Sequence, residues 1–360
     1  MRRIGILTGG GDCPGLNAVI RAVVKTAVNE YEMEVFGIED GYRGLVEKRI
    51  RPLREEDVSG ILPKGGTILG TSNRDNPFKW LTYKDGKKVY EDYSDLAIKT
   101  IEYNELDCLI TVGGDGTQAI AYKFFEKGVP VVGIPKTIDN DLSGTDITFG
   151  FDSALQVATT ALDKLHSTAE SHHRVMVMEV MGRFAGWIAL YSGIAGGADV
   201  ILIPEIPFNI KKVAEKIFQR LKSGKRFSLV VVAEGAREEG GEYVFRKKVE
   251  DPDMPVRLGG IGAKVADEIE ELTGIETRVT ILGHLQRGGS PSPFDRILAT
   301  RFGYHAVLAC RKREFGKMVA LRGNDIVTVE IKDIIDKPRR VSPDSDLVKM
   351  AMATGTSFGI

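Results

Sequence analysis

The sequence predicts an α/β protein made of two doubly wound, mostly parallel-sheet domains, with the active site expected in the cleft between them. Three observations predict it. Apolar runs of five to seven residues alternate with helical stretches of roughly 10–20 residues, as in βαβ units. The runs are continuously apolar, as strands buried on both faces are. Glycine-rich loops follow them, and open α/β sheets bind ligands beyond the carboxyl ends of their strands. About ten such runs fall within 360 residues, more than one half-sheet needs.

In chain order, RIGILT (3–8) is the first strand and runs into Gly9-Gly10-Gly11-Asp12. A helix then begins near Leu16 and brings Ala18, Val19, Ala22, Val23 and Val24 to one side. Residues 64–91, rich in Gly, Asn, Asp and Lys, are expected to be irregular. DCLITV (107–112) repeats the first arrangement: an apolar run, then Gly113-Gly114-Asp115-Gly116-Thr117, then a helix through Phe124 and Phe125. PVVGI (130–134) ends at Pro135-Lys136-Thr137-Ile138-Asp139-Asn140-Asp141. Further strands are expected at 174–180, 199–203, 227–233 and 277–282, with helices at 152–170, 210–222 and 260–272. Residues 337–360 are polar with a weak helical pattern. This divides the chain into 1–140 plus roughly 257–305, 141–256 plus roughly 306–335, and a tail, 336–360.

Composition narrows the function. The chain is 42% hydrophobic and 28% charged with a net charge of −1, which excludes low-complexity disorder and a global basic footprint for nucleic acid. Cys13, Cys108 and Cys310 are too scattered in sequence for a disulfide framework or a CxxC site, pointing to a reducing, cytoplasmic setting. No run approaches the ~20 apolar residues of a membrane span, and Met1-Arg2-Arg3 leads straight into a strand without a signal-peptide pattern.

The loops carry the chemistry. Consecutive glycines at 9–11 let backbone N–H groups approach an anion at a helix N-terminus; the alternative is a plain tight turn. Pro14 breaks the dinucleotide fingerprint, and no G-x-x-x-x-G-K-[ST] occurs. In the second loop glycines can cradle phosphate, Asp115 can take a divalent cation and Thr117 can bond a phosphate oxygen. Otherwise Asp115 merely caps the next helix. The third loop brings two carboxylates, a hydroxyl and Lys136 together, with Asp139 and Asp141 as base and as metal or orienting group. A solvated acidic turn would explain neither Lys136 nor the buried run before it. Trp80 and Trp187 are expected to pack.

These residues resemble the 6-phosphofructokinase family. TGGGDCPGLNAVIR, GGDGT, PKTIDND, ESHHRVMVMEVMGR, IAGGADVILIPE, VVAEGA and ETRVTILGHLQRGGSPSPFDRILA match it in order, from Arg3 to about Arg313, and the likeness fades in the tail. The resemblance implies phosphorylation of fructose 6-phosphate at its C1 hydroxyl by MgATP, the committed step of glycolysis. It implies Asp139 as general base, Thr137 and Gly11 as donors to the moving phosphoryl group, Arg183 as a further catalytic group, and Asp115 as the Mg²⁺ ligand. The sugar phosphate would be held by Thr137, Asp139, Arg174, Met181, Gly182, Arg183, Glu234, Arg278, His284 and Arg287. Gly11, Tyr42, Arg74, Gly114, Asp115, Gly116, Thr117 and Lys136 would line the phosphoryl-donor site, making the first domain the donor domain and the second the acceptor domain. Arg174 and Arg278 would reach in from an adjacent subunit, which implies a homo-oligomer, dimer or tetramer.

The family holds ATP and pyrophosphate users. By the resemblance, pyrophosphate enzymes carry Asp where this chain has Gly116, which favours ATP; Lys136 is typical of pyrophosphate users, and Ile120 stands where many ATP enzymes have Gly. A pyrophosphate-dependent phosphotransferase, a kinase of another sugar phosphate and a non-catalytic sugar-phosphate or nucleotide sensor stay open as alternatives. The resemblance also implies an inter-subunit effector pocket in regulated members. Here Arg21, Lys25 and Lys225 remain, but Glu55, Ser223 and His166 fill its other cationic positions.

Overall fold

The computed structural model describes residues 1–248 and 256–360. Its strands are β1 (Arg3–Thr8), β2 (Glu34–Ile38), β3 (Ile50–Leu53), β4 (Trp80–Lys84), β5 (Lys87–Glu91), β6 (Cys108–Gly113), β7 (Val131–Pro135) and β8 (Val175–Val180). There follow β9 (Val200–Leu202), β10 (Ser228–Ala233), β11 (Phe245–Lys248), β12 (Val256–Leu258), β13 (Thr277–Ile281), β14 (Lys317–Arg322) and β15 (Asp325–Glu330). The helices are α1 (Leu16–Tyr31), α2 (Tyr42–Val46), α3 (Ser94–Tyr103), α4 (Asp115–Glu126) and α5 (Phe151–His172). After them come α6 (Trp187–Ala195), α7 (Ile210–Lys222), α8 (Ile261–Thr273), α9 (Pro293–Arg311) and α10 (Asp346–Ala353).

The chain folds into two units. The first comprises Met1–Ile138, Leu142–Asp152 and Arg287–Pro338. Its sheet has the order β15-β14-β7-β6-β1-β2-β3, parallel from β14 to β2 with an antiparallel strand at each edge. β6 and β7 are buried along their whole length, which explains their unbroken apolar character. α1 packs on α9, α9 lies along β7 and β14, and α4 along β6 and β7. Leu7, Ile38, Leu109, Phe124, Val131 and Met318 belong to its core.

The second unit comprises Asp139–Asp141, Ser153–Gln286 and Arg339–Ile360. Its sheet is parallel throughout, in the order β13-β8-β10-β9, and β8 and β10 are fully buried. α7 and α8 pack together, with Val213, Ile217, Val265 and Ile269 closing over Val177 and Val230.

Several stretches fall on the opposite side from the sequence-based division: 139–140 lie in the second unit and 142–152 in the first. Residues 257–286 go with the second unit because β13 pairs with β8, and 306–335 go with the first because β14 pairs with β7. The tail is no separate piece: from Arg339 it belongs to the second unit and contains α10. Residues 249–255, expected in the acceptor domain, lie outside the described residues. The stretch 64–91, expected to be irregular, includes the β4–β5 hairpin. The scattered cysteines are not all apart in space: the Cys108 and Cys310 sulfurs, both buried free thiols, lie 3.0 Å apart where the start of β6 meets the end of α9.

Candidate active site

The register of the first sheet brings the three motif loops to one edge. Thr8 pairs with Val112 and Gly113 with Pro135, so the loops after β1, β6 and β7 leave at the same level. From β1 the chain builds outward to β2 and β3, then returns to place β6 on the other side of β1. The order reverses between β1 and β6, the place where open α/β sheets take their ligands.

Around this switch point glycine is required sterically. A Cβ on Gly9 or Gly113 would run into the Thr117 side chain, so these two glycines let the first and second loops close on it. Thr117 is buried, and its carbonyl accepts a hydrogen bond from the Tyr42 hydroxyl at 2.8 Å. Tyr42, expected to touch the donor, is 3% exposed and stacks on Phe124, so it braces the second loop from beneath. Arg74, the other cation expected at the donor, is exposed, and its amide donates to the Ser72 hydroxyl at 3.3 Å.

Two cations converge on the first loop. The Lys136 ammonium, 3% exposed, donates to the Gly11 carbonyl, and Arg287 donates to the Asp12 carbonyl at 3.1 Å. The Arg287 guanidinium fills the space a Cβ on residue 11 would need. Arg287, expected to hold the sugar phosphate, thus rests on the first glycine loop, where the chain re-enters the first unit. A glycine loop carrying a buried ammonium and a guanidinium suits a polyanion. Cys13 beneath it is fully buried and its thiol is pushed up to about 12 by that burial, so it is apolar filling and no nucleophile.

Asp115 is the first residue of α4, with Gly114 as its cap, where the helix dipole favours a carboxylate. Its Oδ1 accepts from the Asp336 amide at 3.1 Å. Among the described residues no group of three or more His, Cys, Asp or Glu could hold a metal alone. A hard cation here would rest on Asp115 and on ligand phosphates, which is how Mg²⁺ is commonly bound, so the residues fit it. Gly116 is exposed, and a Cβ built on it meets nothing within 4 Å.

After β7 the Thr137 carbonyl accepts from the Thr148 hydroxyl at 2.8 Å. Asp139 and Asn140 are 4% and 2% exposed, and Asn140 turns the chain in the left-handed region at φ 53°. In the second unit Met181, Gly182 and Arg183 follow β8, and Glu234 follows β10, level with them because Ala233 pairs with Val180. Gly182 (φ 143°) and Arg183 (φ 51°) form a tight turn whose Arg183 amide donates to Glu234 Oε1 at 3.0 Å. Burial pushes the Glu234 carboxyl up to about 7; the Arg183 amide pulls it down, and the Asp139 charge pushes it further up. Asp139 and Glu234 therefore share one field.

Arg174 and Arg278 are neighbours, not isolated surface cations. Both grip Glu276: the Arg174 Nε–Oε2 distance is 2.6 Å, and Arg278 donates to Oε1. His284 is exposed in the 3₁₀ turn Gly283–Arg287. Sequence reasoning missed Glu276. The two-residue spacing of Glu276 and Arg278, which places them on one side of an extended chain, could have revealed it.

A family model described as phosphofructokinase matches residues 3–310. The chain is 55% identical over 364 residues to "ATP-dependent 6-phosphofructokinase" of Chloroflexus aurantiacus, covering 99% of this chain and 98% of that one. It is 53% identical over 342 residues to "Pyrophosphate–fructose 6-phosphate 1-phosphotransferase" of Streptomyces coelicolor, covering 95% and 96%. Among solved structures, phosphofructokinase from Saccharomyces cerevisiae superposes with a TM-score of 0.78 at 32% identity, over 98% of this chain and 46% of that longer one. Among the described residues no helix is long and apolar enough to cross a membrane. With the glycine loops, the β7 turn and the Arg183–Glu234 pair in their observed places, and with a match spanning most of its length, the chain belongs to the phosphofructokinase family.

Proposed function

We propose that the protein transfers a phosphoryl group from MgATP to the C1 hydroxyl of fructose 6-phosphate. The observation that carries this reading is the stretch 136–139. Lys136 lies on the first glycine loop, and Asp139, three residues along, shares its field with Glu234. A polyanion-holding loop and a buried carboxylate beside a second, hydroxyl-accepting carboxylate are what phosphoryl transfer to a sugar alcohol needs.

Asp139 takes the proton of the C1 hydroxyl as its oxygen attacks phosphorus, and the β–γ bond of the donor breaks in line. Lys136, Arg287 and the N-terminus of α4 offset the charge on the moving phosphoryl group and the leaving diphosphate. Mg²⁺, held by Asp115 and the phosphates, supplies further charge neutralisation when bound. Glu234 accepts from sugar hydroxyls, Arg183, Met181 and Gly182 shape that end, and His284 meets the sugar phosphate. Arg174 and Arg278, oriented together by Glu276, serve the sugar phosphate of an adjacent subunit, so the enzyme works as an oligomer.

The open space at Gly116 favours ATP, because nothing there obstructs an α-phosphate. The buried Lys136 ammonium on the Gly11 loop, and the Streptomyces relative, favour pyrophosphate as the second reading. Purified protein offered fructose 6-phosphate with ATP or with pyrophosphate decides between them. Faster turnover with ATP is expected; faster turnover with pyrophosphate would reverse the donor, and none with either would leave a sensor or a kinase of another sugar phosphate.

A further inference from the structure

The tail beyond the family match is bound to the turn that carries Asp139. Arg339 is engaged there through its amide, its carbonyl and its guanidinium. The amide donates to the Asp141 carbonyl at 2.7 Å, and the guanidinium to the Asn140 carbonyl at 3.4 Å. The guanidinium also stands over the Trp187 ring, 4.3 Å from the centroid, and the Arg339 carbonyl accepts from Trp187 Nε1 at 3.1 Å. Two residues on, the Val341 amide donates to Glu205 Oε1 at 2.9 Å, and Glu205 takes the Gly186 amide at the start of α6 as well. Trp187 is 7% exposed, so this anchorage sits on a packed helix and not on a loose surface.

The turn itself needs such support. Asn140, between the two aspartates, holds a left-handed backbone. A carboxylate beside such a turn moves whenever the turn does, and misplacement by about 1 Å can cost about a hundredfold in rate.

We propose that the Arg339 side chain is a positioning group for Asp139, tying the Asn140 carbonyl to the Trp187 ring of α6 so that the base points at the acceptor hydroxyl. The proposal rests on Asp139 being the base. It makes the tail part of the catalytic apparatus without any contact of its own to substrate.

The test is a kinetic cycle of Arg339→Ala, Asp139→Asn and the double variant, with fructose 6-phosphate and ATP. Arg339→Ala is expected to lower kcat ten- to a hundredfold while KM for fructose 6-phosphate stays within about threefold. If Arg339 acts only through Asp139, its penalty shrinks to less than about threefold in the Asp139→Asn background. Arg339→Lys, which keeps a cation over the Trp187 ring but not the fork, should fall in between and covers the case that the alanine variant does not fold. An unchanged kcat in Arg339→Ala, an equal penalty in both backgrounds, or a rise in KM alone would overturn the proposal. Should Asp139→Asn itself keep wild-type turnover, it is the base reading that fails, whatever Arg339 does.

Discussion

Glu234 offers a titration that can be followed in the folding equilibrium. Its carboxyl stands at about 7 against an ordinary 4.5, chiefly because β10 delivers it into a half-buried, desolvated position. At about 1.4 kcal/mol per pH unit, that difference corresponds to at most about 3 kcal/mol. Below pH 4.5 folded and unfolded chains both carry the proton, and Glu234 leaves stability untouched. Between 4.5 and 7 the folded chain keeps a proton that the unfolded chain has released, so stability falls as pH rises. Above 7 the folded state bears the whole penalty of a buried charge. Glu234→Gln imitates the protonated form and keeps an oxygen for the Arg183 amide. Urea unfolding from about pH 5 to pH 8, followed by circular dichroism, should show the variant ahead of wild type by under about 1 kcal/mol at the acid end and by about 3 kcal/mol at the alkaline end. Because the Asp139 charge adds to the rise, the same gap should be smaller in an Asp139→Asn background. A gap of equal size at both ends of the range would refute the reasoning, since no proton would then separate the two proteins.

Asp139→Asn should lower kcat by roughly 10²–10⁴ while fructose 6-phosphate binding, read by calorimetry, stays within a few-fold; half of wild-type turnover would rule Asp139 out as the base. Gly116→Asp should fold normally, since its Cβ meets nothing within 4 Å, and should lose ATP turnover while pyrophosphate turnover is spared. Equal losses with both donors would show that residue 116 does not face the α-phosphate. Lys25, one of the cations left at the expected effector positions, is paired with Glu55 at 3.2 Å, which withdraws it from any effector phosphate. Saturation by fructose 6-phosphate should therefore be near-hyperbolic and barely shifted by millimolar phosphoenolpyruvate; a sigmoidal curve straightened by ADP would show a working pocket.

What could be read from the sequence was what is local. β1, β6, β7, β8 and β10 are mostly apolar runs because both their faces are covered, and the glycine loops follow β1 and β6 directly. The β4–β5 hairpin was hidden because its residues are largely exposed and polar, leaving no buried face to mark it. The division into units went astray at β13 and β14, since nothing in either strand encodes whether β8 or β7 will accept it. At the site the residue types at 115, 136, 139 and 234 pointed to their chemistry, but the seat of Arg287 on the Gly11 loop depends on a partner 275 positions away in the chain. The engagement of Arg339 with Asn140 is equally non-local.

The seating of β14 beside β7 has a consequence for how the protein is made. β7 is complete once residue 135 has been synthesised, yet one flank stays open until β14 ends at residue 322. The second sheet waits in the same way, with β8 unpaired on one side until β13 emerges. Until then the nascent chain carries apolar parallel strands with bare hydrogen-bonding edges, the kind of surface on which chains associate wrongly. Neither sheet is complete until β13 and β14 have been made, so yield in a cell should depend on holding chaperones more than on the stability of the finished fold.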